Sequence, residues 1–201
     1  MKKAAAVYIH GKGGSADEAA RFFSLFTDRD LIGFDYKSQT PWDAKAEFPP
    51  FFESLRKRYG AVTLIANSIG AYFAMHALNA RHIERAFFIS PIVDMEALIL
   101  KMMTGANVTE NELRDKGEIP TAFGETLSWE YLRYARADPI SWSVPTEVLY
   151  GEKDAMTPYA SISAFAKRIG AGLTIMKNGE HWFHTEEQMS FLYSWIKQRL
   201  L

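Results

Sequence analysis

Short runs of consecutive apolar residues, many of them β-branched, alternate with stretches of helical apolar period along nearly the whole chain. The short runs are typical of buried strands, and the helical period is typical of helices with one buried face. The pattern predicts six strands, at Ala5–Ile9, Leu31–Phe34, Val62–Ala66, Ala86–Ile89, Glu147–Tyr150 and Leu173–Met176. It predicts five helices, near Ser15–Phe26, Lys45–Tyr59, Ile69–Asn79, Tyr159–Ile169 and Glu186–Leu200.

Alternating strands and helices predict a parallel sheet that helices cover on both faces, with right-handed crossovers between the strands. In such sheets a ligand binds beyond the carboxyl ends of the strands, near the point where the strand order reverses. The residues that directly follow each strand are therefore the first candidates for a functional site.

Three helix starts carry capping signals. In Ser15–Glu18 and in Thr185–Gln188, a hydroxyl residue is followed three positions later by glutamate or glutamine, which is the capping-box pattern. Thr157 and Pro158 predict an N-cap followed by proline at the first helical position. The last helix is therefore expected to begin at Thr185, after a loop.

Residues 92–144, between the fourth and fifth strands, are too many for one crossover helix. Thr109–Glu112 predicts the start of one helix there, and Leu127–Ala137 predicts another. A further helical face consists of Met95, Leu98, Ile99, Met102 and Met103. We interpret the segment as a small helical cap inserted at the carboxyl edge of the sheet, where loops often form lids. The alternative is a helical excursion packed on the flank of the sheet.

The composition is that of an ordinary globular protein. At 201 residues the chain is long enough for one domain with a substantial core, and its formal net charge of −1 argues against nucleic-acid and membrane-surface partners. The absence of cysteine excludes disulfides and thiolate metal sites and fits a cytoplasmic protein. No apolar run predicts a transmembrane span, and the histidine spacings favour no metal site. The sequence does not predict the oligomeric state.

Ser68 stands in a turn with almost no residues of its own, between a strand ending at Ala66 and a helix beginning at Ile69. Small residues such as Ala66 and Gly70 surround it, as a close approach of strand and helix requires. Such a turn exposes the serine hydroxyl and directs the Ile69 amide into the site at a helix N-terminus. The pattern indicates a nucleophilic serine, with alanine at its first position where glycine is usual. The alternative is a serine that only caps the helix.

Glycines follow the first strand, in the run His10-Gly11-Lys12-Gly13-Gly14-Ser15. In one interpretation they let backbone amides, chiefly that of Lys12, bind a developing oxyanion. In another, Gly11-x-Gly13-x-x-Ala16 is a dinucleotide fingerprint and Asp35 binds a ribose, as in an NAD(P)-binding oxidoreductase. The second interpretation leaves Ser68 unexplained.

An acid and a histidine follow the last two strands. Asp154 lies in a tight turn after the fifth strand, and His181 lies in a glycine-containing loop after the sixth. A carboxylate that orients an imidazole, which in turn deprotonates a serine, is the triad arrangement. The chain order of Ser68, Asp154 and His181 is that of the α/β-hydrolase arrangement. The rivals are Asp94, which could also cap a helix, and His184, just before the last helix.

The chain resembles the α/β-hydrolase superfamily over essentially its whole length, particularly the small single-domain members that begin directly at a His-Gly-x-Gly-Gly strand. The resemblance implies one domain over residues 1–201 with the α/β-hydrolase fold. Its mostly parallel six-stranded sheet would have the order 2-1-3-4-5-6, helices on both faces and no leading antiparallel hairpin. The resemblance also implies Ser68 as nucleophile, Asp154 as acid, His181 as base, and the amides of Lys12 and Ile69 as oxyanion donors.

These features predict a serine hydrolase that cleaves a small carboxylic ester or a related acyl substrate through an acyl-enzyme, without a cofactor. The expected partner is a small-molecule acyl substrate. The expected lining of its pocket is Gly11, Trp42, Met102 and Trp182. The alternatives are the oxidoreductase described above and a non-catalytic binding module on the same fold. Because one fold supports many reactions, the acyl and leaving groups are not predicted.

Overall fold

A computed structural model describes residues 3–200, which form two compact units. One unit contains the chain up to Ile92 and from Ser141 onward, and the other is the insertion, Val93–Ile140. None of the helices in the described residues is both long and apolar enough to cross a membrane. The segment predicted as an insertion thus forms a unit of its own, and its role as a cap stays a prediction.

Regular elements cover most of the described chain. The strands are β1 (Ala4–Ile9), β2 (Asp30–Gly33), β3 (Ala61–Asn67), β4 (Arg85–Ile89), β5 (Glu118–Pro120), β6 (Thr126–Ser128), β7 (Thr146–Gly151) and β8 (Gly172–Met176). The α-helices are α1 (Pro41–Arg58), α2 (Ile69–Ala77), α3 (Met95–Gly105), α4 (Glu110–Lys116), α5 (Trp129–Ala137), α6 (Tyr159–Ile169) and α7 (Glu186–Leu200). A 3₁₀ helix spans Ala16–Leu25.

Six strands form one sheet in the order β2-β1-β3-β4-β7-β8. Every neighbouring pair in this sheet is parallel. Because β5 and β6 belong to the insertion and form a separate hairpin, this is the predicted order 2-1-3-4-5-6. The strand order reverses between β1 and β3, so the carboxyl ends of these two strands lie where such sheets bind ligands.

Apolar side chains bury both faces of the sheet. On one face, Phe22 of the 3₁₀ helix and Trp195 of α7 join a cluster that includes Phe87 of β4. The Phe87 and Trp195 rings meet edge to face, with centroids 5.6 Å apart. Leu64 and Phe88 alternate with cluster residues along their strands and so lie on the other face of the sheet, and they are also fully buried. Burial on both faces explains why these strands are continuous apolar runs rather than alternating ones.

The first predicted helix differs in type from its prediction. It is a 3₁₀ helix, and the side chain of Ser15 makes no capping hydrogen bond. The Glu18 carboxylate accepts a hydrogen bond from the Tyr8 hydroxyl at 2.7 Å. The capping-box prediction at Ser15 is therefore wrong, since a tertiary contact with β1 takes the Glu18 side chain.

The second helix begins earlier than the predicted Lys45. α1 starts at Pro41, and Thr40 Oγ1 caps it by accepting from Asp43 N at 3.1 Å. The signal was present in the sequence, because a threonine followed by proline favours a helix start.

Of the two later capping predictions, one is confirmed and one is wrong. Gln188 N donates to Thr185 Oγ1 at 3.2 Å, and Thr185 N donates to Gln188 Oε1 at 3.5 Å, so a capping box precedes α7. The N-cap of α6 is Pro158 rather than Thr157. The Thr157 hydroxyl donates instead to Pro91 O, at 3.3 Å.

The insertion contains α3, α4 and α5, and a short antiparallel hairpin that the sequence patterns did not predict. Arg136 of α5 pairs with Glu96 of α3 at 2.7 Å and with Glu110 of α4 at 2.8 Å. The hairpin uses Thr126–Ser128 as a strand, so α5 begins later than the predicted Leu127.

Candidate active site

The turn between β3 and α2 holds Ser68 in a positive-φ backbone conformation, with φ 52° and ψ −121°. Non-glycine residues rarely adopt positive φ, and those that do cluster at functional sites. Ser68 N donates to Ile89 O at 2.9 Å, and Ile92 N donates to Ser68 O at 3.3 Å, so the end of β4 holds the turn. The Ser68 side chain makes no capping bond to α2, which argues against the simple cap.

Gly70 lets α2 approach the end of β1. A Cβ on Gly70 would lie 2.3 Å from His10 O and 2.8 Å from Ile9 Cγ2, which is closer than real atoms tolerate. Ala66, by contrast, lies fully buried within β3, beside Ile9 of β1 and Phe88 of β4. Glycine is thus required only at the second of the two positions where the usual motif has it.

The loop after β1 lies directly against the serine turn. A Cβ on Gly11 would lie 3.2 Å from Ser68 Cβ. The Tyr36 hydroxyl donates to His10 O at 2.9 Å, and the Tyr36 and His10 rings stack with centroids 4.3 Å apart. Gly14 N donates to Gly11 O at 3.1 Å and closes the turn. These contacts fix the glycine loop beside the serine.

Asp154 lies in the turn after β7, which is closed by a 2.9 Å bond from Asp154 N to Gly151 O. The Asp154 side chain is fully buried. Its Oδ1 accepts from Met156 N at 2.8 Å and from Thr157 N at 3.1 Å. These two amides compensate part of the cost of burying a carboxylate and direct its other oxygen toward the loop after β8.

Backbone contacts bring the histidine loop to the acid turn. Lys153 N donates to Gly179 O at 2.7 Å. A Cβ on Gly151 would lie 2.4 Å from Glu180 O, so only glycine allows the two segments to touch. His181 follows this contact directly and therefore reaches the carboxyl edge of the sheet.

Ser68, His181 and Asp154 form one chain of hydrogen bonds. His181 Nδ1 lies 2.7 Å from Asp154 Oδ2, and His181 Nε2 lies 2.8 Å from Ser68 Oγ. Because a carboxylate accepts hydrogen bonds, Nδ1 carries the ring hydrogen and Nε2 accepts from the serine hydroxyl. The His181 side chain is 18% exposed, so solvent reaches the ring but not the acid behind it. This arrangement can transfer the serine proton to the imidazole.

The two rival residues make other contacts. The His184 Nδ1 lies 2.8 Å from Trp182 O, and its ring stacks on the Trp182 ring with centroids 4.4 Å apart. Asp94 caps α3 by accepting from Ala97 N at 3.0 Å, as its capping interpretation predicts. Neither contact joins the hydrogen-bonded chain at Ser68.

The two predicted oxyanion donors, the amides of Ile69 and Lys12, lie in segments next to Ser68. Ile69 is the first residue of α2, where a backbone N–H has no partner within the helix. Lys12 lies in the turn closed by Gly14 N and Gly11 O, against the serine turn. Their role as donors stays a prediction.

The four predicted pocket residues have different surroundings. Gly11 lies against Ser68, and Trp42 is half-buried in the first turn of α1. Met102 is a half-buried residue of α3 in the insertion, and its part in a pocket stays a prediction. Trp182 is 60% exposed and contributes to the wall of a cavity of about 20 Å³. The wall of this cavity consists of Tyr8, Arg21, Phe22, Asn67, Ile89, Trp182, Phe183, Met189 and Leu192.

The glycine loop lacks the surroundings of a dinucleotide site. A 3₁₀ helix follows it, whereas the fingerprint needs an α-helix whose N-terminus binds the pyrophosphate. Asp35 is exposed and pairs with Lys37 at 2.9 Å. Among residues 3–200, no cluster of three or more histidine, aspartate or glutamate side chains could hold a metal ion.

Two residues beside Asp154 were not predicted to belong to the site. The Tyr150 hydroxyl donates to Thr157 O at 2.9 Å, while Thr157 N donates to the carboxylate. An available signal was the spacing of Asp154 and Thr157, because aspartate side chains often accept from backbone amides two or three residues later. Tyr150 carries no such local signal, since it is an ordinary buried aromatic residue of a strand.

The amino-acid sequence matches no protein-family model, and it matches no curated protein. The structure, in contrast, is similar to many solved structures. Alpha/beta hydrolase domain-containing protein 10 from mouse aligns over 98% of this chain and 89% of its own, with a TM-score of 0.76 and 18% identity.

Two further solved structures show the same likeness. An esterase from Pyrococcus furiosus aligns over 99% of this chain and 80% of its own, with a TM-score of 0.62 and 16% identity. The thioesterase domain from the curacin biosynthetic pathway aligns over 97% of this chain and 91% of its own, with a TM-score of 0.60 and 13% identity. The chain therefore has the α/β-hydrolase fold.

Proposed function

We propose that this protein is a serine hydrolase that cleaves a small carboxylic ester or a related acyl substrate through an acyl-enzyme. The observation that carries the proposal is the hydrogen-bonded chain from Ser68 through His181 to Asp154 at the carboxyl edge of the sheet. The positive φ of Ser68 is a second support, because backbone strain of this kind is kept where function requires it. The names of similar structures, an esterase and a thioesterase among them, agree with acyl cleavage.

In the first half-reaction, the Ser68 hydroxyl transfers its proton to His181 Nε2 while its oxygen bonds to the substrate carbonyl carbon. The negative charge on the carbonyl oxygen is accepted by the amides of Lys12 and Ile69. The buried Asp154 carboxylate stabilises the imidazolium that forms. The tetrahedral intermediate then breaks its bond to the leaving group, which takes the proton from His181.

In the second half-reaction, water replaces the leaving group. His181 Nε2 accepts a proton from the water as its oxygen bonds to the acyl carbon, and the same amides bind the oxyanion. Breaking the bond to Ser68 Oγ releases the acid, and His181 returns the proton to the serine. No cofactor is needed for either half.

A small cavity lies near the carboxyl end of β3, and its wall contains neither Ser68 nor His181. Asn67 and Trp182, the neighbours of Ser68 and His181 in the chain, both contribute to its wall. A cavity of about 20 Å³ has room for one group the size of a water molecule. This cavity therefore does not define the acyl pocket, and a panel of esters and thioesters with increasing chain length would determine the preferred substrate.

The test of the function is labelling with a fluorophosphonate probe, with mass spectrometry to locate the tag. We expect the tag on Ser68, because only a serine with an adjacent base reacts quickly. Ser68→Ala should abolish labelling and lower ester hydrolysis by about 10⁴-fold or more, with an unchanged melting temperature.

Ser90→Ala is the matched control. Ser90 also follows a strand and also has a positive φ, of 43°, but it is fully buried and precedes a proline that has no amide hydrogen. This variant should be labelled at the wild-type rate. A wild-type protein that takes no label would instead favour a non-catalytic binding module.

A further inference from the structure

Both oxygens of the Asp154 carboxylate are held by hydrogen bonds. Oδ1 accepts from Met156 N and Thr157 N, and Oδ2 lies 2.7 Å from His181 Nδ1. Rotation of the carboxylate would break one set of bonds or the other. The backbone positions of Met156 and Thr157 together therefore decide which way Oδ2 points.

Two hydroxyl groups fix the Thr157 backbone. The Tyr150 hydroxyl donates to Thr157 O at 2.9 Å, and the Thr157 hydroxyl donates to Pro91 O at 3.3 Å. Tyr150 and Thr157 are each only 3% exposed, so water does not compete for these bonds. Burial and the nearby Asp154 carboxylate raise the pKa of Tyr150, which keeps its phenol protonated as a donor.

The bond to Pro91 also connects the acid turn to the nucleophile. Pro91 is followed by Ile92, whose N–H donates to Ser68 O at 3.3 Å. A path of backbone and hydrogen bonds thus runs from Asp154 through Thr157 to Ser68 without passing through the imidazole. A second connection between Asp154 and Ser68 runs through the His181 ring.

We propose that Tyr150 and Thr157 are positioning residues, which hold the Asp154 carboxylate in the orientation that accepts from His181 and so keep the acid in register with Ser68. This inference rests on the proposed hydrolase function. Both hydroxyls bond to backbone carbonyls, so they act on the reaction only by holding the backbone around Asp154 and Ser68.

Removing either hydroxyl should slow the chemical step. Tyr150→Phe and Thr157→Val keep the side-chain shape but free the Thr157 backbone to shift, and small displacements of a catalytic group are costly. Each should lower the labelling rate and kcat by about 10-fold to 100-fold, with little change in KM. Thr157→Ser keeps the hydroxyl and should recover the rate to within about threefold, since the bond to Pro91 O can form again.

Matched controls remove the same atoms at the opposite edge of the sheet. Tyr59, just before β3, donates its hydroxyl to Asp30 Oδ2 at 2.8 Å, and Thr146, the first residue of β7, donates to Val144 O at 2.7 Å. Tyr59→Phe and Thr146→Val should lower the melting temperature and leave the labelling rate of the folded protein unchanged. Equal loss of rate in controls and test variants would overturn the proposal.

A double-mutant cycle separates positioning from a general structural effect. If Thr157 acts through Asp154, then adding Thr157→Val to Asp154→Asn should cost less than about twofold in labelling rate, because the group it positions is already lost. Rate losses that multiply in the double variant would contradict the proposal.

A readout without substrate tests the same geometry. The proton of His181 Nδ1, which bonds to Asp154, should give a low-field NMR resonance. Tyr150→Phe and Thr157→Val should shift or broaden this resonance, whereas the two controls should not. An unchanged resonance in both test variants overturns the positioning role, whereas a wild-type Ser68 that takes no label overturns only the hydrolase function.

Discussion

At the scale of single residues, each member of the hydrogen-bonded chain is oriented by a second contact. The Asp154 carboxylate is held by two backbone amides, and its bond to His181 Nδ1 sets the ring tautomer. Two backbone hydrogen bonds hold Ser68: its N–H donates to Ile89 O, and its carbonyl oxygen accepts from Ile92 N. Pre-oriented groups of this kind lose little entropy when a substrate reacts.

The choice between the two histidines of the loop is a prediction at this scale. His181→Ala should abolish fluorophosphonate labelling, because it removes the base that lies 2.8 Å from Ser68 Oγ. His184→Ala should keep labelling within about threefold, since the His184 ring contacts Trp182 and Glu180 at a partly exposed site and not Ser68. Labelling rates of both variants at one pH provide the comparison. If His184→Ala is the unreactive variant, the assignment of the base is wrong.

At the scale of elements, the serine turn depends on how closely α2 approaches β1. The approach is permitted at Gly70, where a Cβ would lie 2.3 Å from His10 O. His10 O is itself held by the Tyr36 hydroxyl, so it cannot move away without breaking that bond. The end of β1, the start of α2 and the glycine loop after β1 are therefore packed together around Ser68, and none of them can shift alone.

Gly70→Ala tests whether the close approach of α2 to β1 is needed for the position of Ser68. In an exposed helix, alanine is more favourable than glycine by about 1 kcal/mol. Here the clash with His10 O should outweigh that gain, because overpacking costs about 1–3 kcal/mol or more, and α2 must shift together with Ser68. We expect a lower melting temperature and a loss of ester hydrolysis, measured by thermal unfolding and by initial rates.

Gly105→Ala is the control for that substitution. Gly105 ends α3, and a Cβ there would meet no atom within 4 Å. It should leave melting temperature and activity near their wild-type values. A Gly70→Ala protein as stable as the Gly105→Ala protein would show that the close approach does not constrain the turn.

At the scale of the whole molecule, buried His82 couples folding to pH. Burial lowers the pKa of His82 below its ordinary value of 6.5, and it outweighs the opposite effect of the Glu53 carboxylate. The neutral ring also accepts a hydrogen bond from Asn79 N at 3.2 Å. The folded protein therefore binds this proton less readily than the unfolded chain does.

The free energy of unfolding should consequently depend on pH with a defined sign. The contribution of neutral, buried His82 to the free energy of unfolding is fully present above about pH 6.5. It is lost as the pH falls toward and below the lowered pKa of His82, because the unfolded chain takes up the proton first. Melting temperatures between pH 8 and pH 5 should fall more for the wild type than for His82→Gln. Substitution of the exposed His184 by glutamine serves as the control. Parallel curves for wild type and His82→Gln would contradict the prediction.

Much of the architecture could be predicted from the sequence, because strand and helix periods reflect local backbone geometry. The six strands of the sheet lie where the apolar runs predict them, and α6 and α7 have the predicted bounds. The failures have tertiary causes. Glu18 bonds to Tyr8 of β1 instead of capping its own helix, and the Thr157 hydroxyl bonds to Pro91 instead of capping α6.

The sequence by itself determined which polar residues follow which strands, because those positions depend only on where each strand ends. It could not determine that Ser68 and His181, 113 residues apart, meet at 2.8 Å, or that His184 turns away to stack on Trp182. Those contacts depend on strand order and on backbone packing, such as the contact of Gly151 with Glu180, which no local pattern records. The bond from the Thr157 hydroxyl to Pro91 O was decided in the same way, because it joins segments that are brought together only when the sheet forms.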